Sequence, residues 1–126
     1  MRFITSLFSP DLSTKTDPYS LNAAEYAARF VNTNTPHKLI DVRSPAEFAA
    51  GYVSGAQNIP LPELAEQMTA IPTDLPVMLY CRSGNRSGQA LRLLQMAGYT
   101  NVYNIGGLSD LAAQGLPIEK NDRIAV

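Results

Sequence analysis

Val77-Met78-Leu79-Tyr80-Cys81-Arg82-Ser83-Gly84-Asn85-Arg86-Ser87-Gly88 runs from four apolar residues, through a cysteine, into a loop rich in Gly and Arg. An uninterrupted apolar run of this length predicts a strand buried on both faces, as in parallel sheets covered by helices. Ser87 to Ala97 predicts the helix that follows, stopped by Gly98. Its polar stripe is Gln89, Arg92 and Gln95, while Ala90, Leu91, Leu93, Leu94, Met96 and Ala97 fill the rest. A helix apolar on most sides is expected to be deeply buried, and so to hold its N-terminus and the loop in one place.

The same alternation extends in both directions. Asn22-Ala23-Ala24-Glu25 opens a helix to about Val31 as a capping box, with Asn22 accepting a backbone N–H and Glu25 reaching back. Lys38 to Val42 predicts a strand. Ser44-Pro45-Ala46-Glu47 predicts a second capped helix, ended by Gly51. Further along, the expected elements are a strand from Gln57 to Ile59, a short helix from Pro62 to Met68, a strand from Asn101 to Ile105 and a last helix from Leu108 to Gln114. Strands alternating with helices imply an α/β fold, a central parallel sheet with helices on both faces. Residues 1–18 are rich in Ser, Thr, Pro and Asp without a sustained period, and are expected to form a flexible or loosely docked arm before a domain over 19–126.

Totals narrow the function. The chain has 126 residues, which suits one domain, and a 45% hydrophobic content that excludes global disorder. A net charge of −1 offers no general attraction to nucleic acid or to an anionic membrane, and neither is expected as a partner. No apolar run approaches the ~18 residues of a membrane span. The N-terminal residues make a poor signal peptide, so a cytoplasmic location is expected. One cysteine cannot form an internal disulfide, and with one histidine the chain lacks the usual ligands for structural zinc. No metal or other cofactor is expected.

Cys81 therefore has to be judged by its surroundings. Ligands of parallel α/β sheets bind at the carboxyl ends of strands, which is where Cys81 falls. Gly84 permits a tight loop, and a loop curling into a helix start can aim several N–H groups inward at an anion. No acidic residue lies between Asp74 and Asp110, whereas Arg82, Arg86 and Arg92 do. A thiol there is expected to titrate well below ~8.5; a two-unit fall needs about 2.7 kcal/mol, within reach of a few charge-assisted N–H bonds and an arginine.

At this point three blocks become specific together. Tyr80 to Ser87 resembles the active-site loop of single-domain rhodaneses, the thiosulfate sulfurtransferase-like family. Asp41-Val42-Arg43-Ser44-Pro45-Ala46-Glu47-Phe48 with Gly51 to Pro60 resembles that family's first signature, and Gly106-Gly107-Leu108 with Gly115-Leu116-Pro117 its C-terminal one. The resemblance covers residues 20 to 118 and implies a rhodanese-like fold. It also implies that Cys81 takes a sulfane sulfur from an anionic donor such as thiosulfate, holds it as a persulfide, and yields it to cyanide or a thiol. By the same resemblance Arg82, Ser83, Gly84, Asn85, Arg86 and Ser87 bind substrate: the backbone N–H groups hold the terminal sulfur, and Arg82 and Arg86 attract and orient the donor. Partners are then a small-molecule donor and acceptor, or a protein that receives persulfide sulfur. Tyr52 stands where the family usually has His, and Leu108 and Leu111 where it often has Trp; these departures bear on substrate preference.

Two other functions fit parts of the pattern. A persulfide relay or sensory module would use the same loop with little turnover. A phosphatase or arsenate reductase resembles a Cys-x5-Arg loop, but Ser87 stands at the arginine position and Arg86 one residue earlier. Among other polar residues, Asp41 is expected to anchor nearby backbone rather than to catalyse, Arg43 and Glu47 to pair across a helix start, and His37 to be exposed. Tyr52 and Tyr99 read as packing residues.

Overall fold

Side chains along the central strands alternate between two buried faces and so build two separate cores. The computed structural model describes residues 17–120. Its elements are α1 (Ala23–Tyr26, continued by a π-helical turn over Ala27–Val31), β1 (Lys38–Asp41), α2 (Pro45–Ala50), β2 (Tyr52–Val53), β3 (Gln57–Asn58), β4 (Val77–Cys81), α3 (Asn85–Met96), β5 (Val102–Gly107), α4 (Leu108–Ala113) and β6 (Ile118–Glu119). Ile40, Val42, Val77, Leu79, Cys81 and Val102 face Ala90, Leu91 and Leu94 of α3, together with Ile59, Leu64 and Ile71. Leu39, Met78, Tyr80 and Ile105 face the other way, onto Tyr26, Phe30, Leu111 and Leu116. All five residues of β4 are buried, as expected of a strand covered on both sides.

The main sheet is parallel throughout, in the order β3-β1-β4-β5, so the α/β architecture read from the sequence holds. A second, two-stranded antiparallel pair joins β2 to β6. Both capping boxes are present: Asn22 with Glu25, and Ser44 with Glu47. Among the described residues no helix is long and apolar enough to cross a membrane. Of the expected N-terminal arm, only residues 17 and 18 fall within the described residues. Residues 19–21 lie along β5, with Leu21 N–H donating to Asn104 O (2.9 Å) and Asn104 N–H to Tyr19 O (2.8 Å).

Several expectations need correction. The helix expected from Pro62 to Met68 is replaced by two 3₁₀ turns, Leu61–Glu63 and Met68–Ala70. Pro60 and Pro62 remove amide donors there, and the Leu61 N–H donates to Val42 O, tying the segment to the end of β1. Helix α3 starts at Asn85 rather than Ser87, because Gly84 adopts φ 99° and turns the chain straight into the first turn. Its far end is less buried than its composition suggests, with Met96 89% exposed. His37 is not an exposed turn residue. Its ring is half-buried between Tyr26 and Phe30, and its nitrogens lie 2.7 Å from Tyr26 Oη and 2.7 Å from Thr35 O. Arg43 does not pair with Glu47 but with Asp41, two residues back.

Candidate active site

The site begins with a buried charge pair beneath it. Asp41 is fully buried at the end of β1, and Arg43 is 5% exposed. Arg43 Nη2 lies 2.6 Å from Asp41 Oδ2 and 2.6 Å from Gly51 O, and the Arg43 backbone N–H donates to Asp41 Oδ1 (2.9 Å). Asp41 is thus the backbone anchor expected of it, and the pair clamps both ends of α2. From that helix Glu47 meets Arg86, with Arg86 Nη1 to Glu47 Oε1 at 2.7 Å and Nη2 to Oε2 at 2.9 Å.

The pair changes the expected charge map. The stretch from Asp74 to Asp110 is free of acids, but α2 supplies one through space. Arg86 commits both terminal nitrogens to Glu47, so it does not present a free guanidinium fork to a donor. Arg82 is exposed and makes no side-chain hydrogen bond or ion pair among the described residues. Glu47, held first by the Arg86 hydrogen bonds and then by the Ser44 N–H, is lowered from an ordinary 4.5 to about 2. Because its folded value lies below its unfolded one, its contribution to stability is complete above about pH 4.5 and is lost as pH falls through about 2. Glu47→Gln is therefore expected to lower the urea midpoint at neutral pH, and the gap from the parent should close at about pH 2. A gap independent of pH would show that the carboxylate charge contributes nothing.

Cys81 closes β4 with its side chain on the α3 face, 1% exposed. Gly84 N–H donates to Sγ at 3.0 Å, and Ser87 Oγ lies 3.4 Å from Sγ. Burial pushes the Cys81 thiol up, but the Ser87 hydroxyl and the backbone N–H groups of Ser87, Ser83 and Gly84 more than offset it, for a net lowering. The expected loop thus splits in two. Arg82, Ser83 and Gly84 form the turn, whereas Asn85, Arg86 and Ser87 lie on the first turn of α3. Such a cage can stabilise negative charge on Sγ or on an atom attached to it. Among the described residues no three His, Cys, Asp or Glu side chains cluster as a metal site.

A second wall escaped the sequence reading as a functional element. Leu79 pairs with Asn104 but Cys81 with Gly107, so β5 carries one extra residue as a bulge beside the cysteine. Gly106 sits there with φ 93°. A side chain on Gly107 would place its Cβ 2.3 Å from Arg82 O, so only glycine lets β5 press this closely on the loop. Asn104 bonds the loop and the helix from the same wall. A polar residue inside Val102-Tyr103-Asn104-Ile105 was the available signal.

The Rhodanese-like domain family matches residues 22–114. The uncharacterized protein YqhL of Bacillus subtilis is 40% identical over 98 residues, 71% of this chain and 78% of its own. Thiosulfate sulfurtransferase PspE of Escherichia coli is 48% identical over 75 residues, 58% of this chain and 72% of its own. A solved rhodanese from Escherichia coli, with anions, superposes with a TM-score of 0.62 at 42% identity, over 68% of this chain and 99% of that one. Because the family match spans most of the chain and the fold is shared with a solved member, this chain belongs to the rhodanese family.

Proposed function

We propose that the protein is a sulfurtransferase in which Cys81 carries the sulfur, with thiosulfate or a similar anion as donor. The observation that carries this reading is the geometry at Cys81: the Gly84 N–H (3.0 Å) and the Ser87 hydroxyl (3.4 Å) both turn onto Sγ at the strand end, an arrangement that lowers the thiol. The names of relatives such as PspE support the same class of reaction. The Cys81 thiolate attacks the outer sulfur of thiosulfate. A new S–S bond forms, the S–S bond of thiosulfate breaks, and sulfite leaves with its electron pair. Cyanide then attacks the terminal sulfur of the persulfide, thiocyanate departs, and the Cys81 thiolate is restored. With the residue 1% exposed, donor and acceptor must approach end-on. The terminal sulfur carries the charge of the intermediate, and the N–H groups of Ser83, Gly84 and Ser87 are the donors placed to hold it.

Arginine supports this chemistry over phosphate-ester hydrolysis. A tetrahedral oxyanion needs an arginine free to fork onto it, and Arg86 is engaged by Glu47. Donor attraction then falls to Arg82. Arg82→Ala is expected to raise the thiosulfate KM by about 2- to 30-fold at low salt, an effect that shrinks at high salt. Unchanged KM at low salt would remove Arg82 from donor capture. A lone thiol kept reduced for this cycle also suits the reducing cytoplasm. Steady-state thiocyanate production from thiosulfate and cyanide tests the whole reading. Sulfur loading without turnover would point instead to a relay that hands sulfur to a protein.

A further inference from the structure

Ser87 has one hydroxyl proton and two acceptors within reach. Its Oγ lies 3.4 Å from Cys81 Sγ and 2.7 Å from Asn104 Oδ1. The orientation of the Asn104 amide is set by its other partners. Nδ2 donates to Gly84 O (3.1 Å), and Oδ1 accepts the Gly106 N–H (3.0 Å). Since Oδ1 has no proton to give, the short contact with Ser87 requires the serine to donate. The Asn104 backbone is fixed as well, between Leu79 of β4 on one side and residues 19–21 on the other.

We propose that Asn104 is a positioning residue that gives the Ser87 proton a second resting place, so that the hydroxyl turns between Cys81 Sγ and Asn104 Oδ1 as charge arrives at and leaves Sγ. With a neutral thiol, the proton rests on Oδ1 and the Ser87 oxygen faces Sγ. When Cys81 is a thiolate, the proton turns to the sulfur, because a hydrogen bond to a charged acceptor is the stronger one. In a persulfide the charge moves out to the terminal sulfur and Sγ becomes a bridging atom. The Ser87 proton then returns to Oδ1. No proton leaves Ser87 at any stage; only the hydroxyl rotates. Asn104 thus sets how tightly Ser87 grips the free thiolate, and keeps it from being held so firmly that it loses nucleophilicity.

The inference rests on Cys81 being the sulfur carrier, but its test needs no sulfur donor. The midpoint of iodoacetamide alkylation against pH reports the Cys81 thiol directly. Asn104→Ala removes the competing acceptor, so the Ser87 proton stays on Sγ. The midpoint should fall by about half to one pH unit. In a Ser87→Ala background the same substitution should leave the midpoint unmoved. A purely structural role for Asn104 predicts the reverse sign, since a loosened cage holds the thiolate less well. A rise, no change, or a fall that persists without Ser87 would overturn the proposal. If Asn104→Ala does not fold by circular dichroism, Asn104→Asp replaces it. That variant keeps the size of the side chain and strengthens the acceptor while giving up the bond to Gly84 O, so the midpoint should rise, and rise more with Ser87 present than absent. An equal rise in both backgrounds would overturn the proposal. Failure of sulfur transfer from thiosulfate with these titrations intact would sink the proposed reaction and leave this device standing.

Discussion

Cys81→Ser is expected to abolish sulfur transfer while the parent protein gains a single sulfur from thiosulfate. Intact mass should rise by about 32 Da in the parent and return to its starting value with cyanide, as covalent catalysis through one thiol requires. The variant should show no adduct and a thiocyanate rate lower by about 10³-fold or more, the scale of losing a nucleophile. The chain contains no second cysteine to take over. Serine keeps the size of the side chain and its contact with the Gly84 N–H, so folding should survive. A Cys81→Ser protein that still acquired a cyanide-labile sulfur would end the assignment of Cys81 as carrier.

The largest effect on stability is expected at Asp41. Both members of the Asp41–Arg43 pair are inside the protein, at 0% and 5% exposure. Asp41→Ala leaves the Arg43 guanidinium buried with the Gly51 carbonyl as its one remaining acceptor among the described residues. Breaking one half of a buried pair costs about 3–5 kcal/mol, a large share of the roughly 5–15 kcal/mol that holds a domain folded. Urea denaturation would measure it. Asp41→Ala combined with Arg43→Met should recover most of the loss, because the stranded charge goes too. If the single and double variants were equally unstable, the pair's charge would not be the cause. The single variant should also weaken the Glu47–Arg86 contact, since the pair anchors the helix that carries Glu47.

What the sequence revealed about fold and site followed the range of the interactions involved. The two capping boxes, the apolar run of β4 and the left-handed turn at Gly84 are local, set by residues within four positions of each other. All were legible. Cys81 at a strand end leading into a helix was legible for the same reason. The sequence suggests donor binding for Arg86 and hides its ion pair, because the partner Glu47 stands 39 positions earlier. Counting acids along the chain misses one that arrives from another helix. Asn104 was passed over because it touches Gly84 and Ser87 only once β5 lies beside β4. The two-residue strands β2 and β6 carry no period that could announce them. His37 resembled a turn residue until Tyr26 and Phe30 closed on it.

The dependence of the cysteine cage on β5 has a consequence for the protein as it is being made. Synthesis delivers Cys81 and its loop first, and the wall formed by Asn104, Gly106 and Gly107 roughly one to five seconds later at ordinary translation rates. Until that wall arrives, the Gly84 carbonyl and the Ser87 hydroxyl lack their Asn104 partner, and the thiol is that of an open chain. A nascent chain therefore lacks the cage that the proposed chemistry needs. On the proposed function, sulfur transfer begins only once β5, the last strand of the main sheet in chain order, has paired with β4.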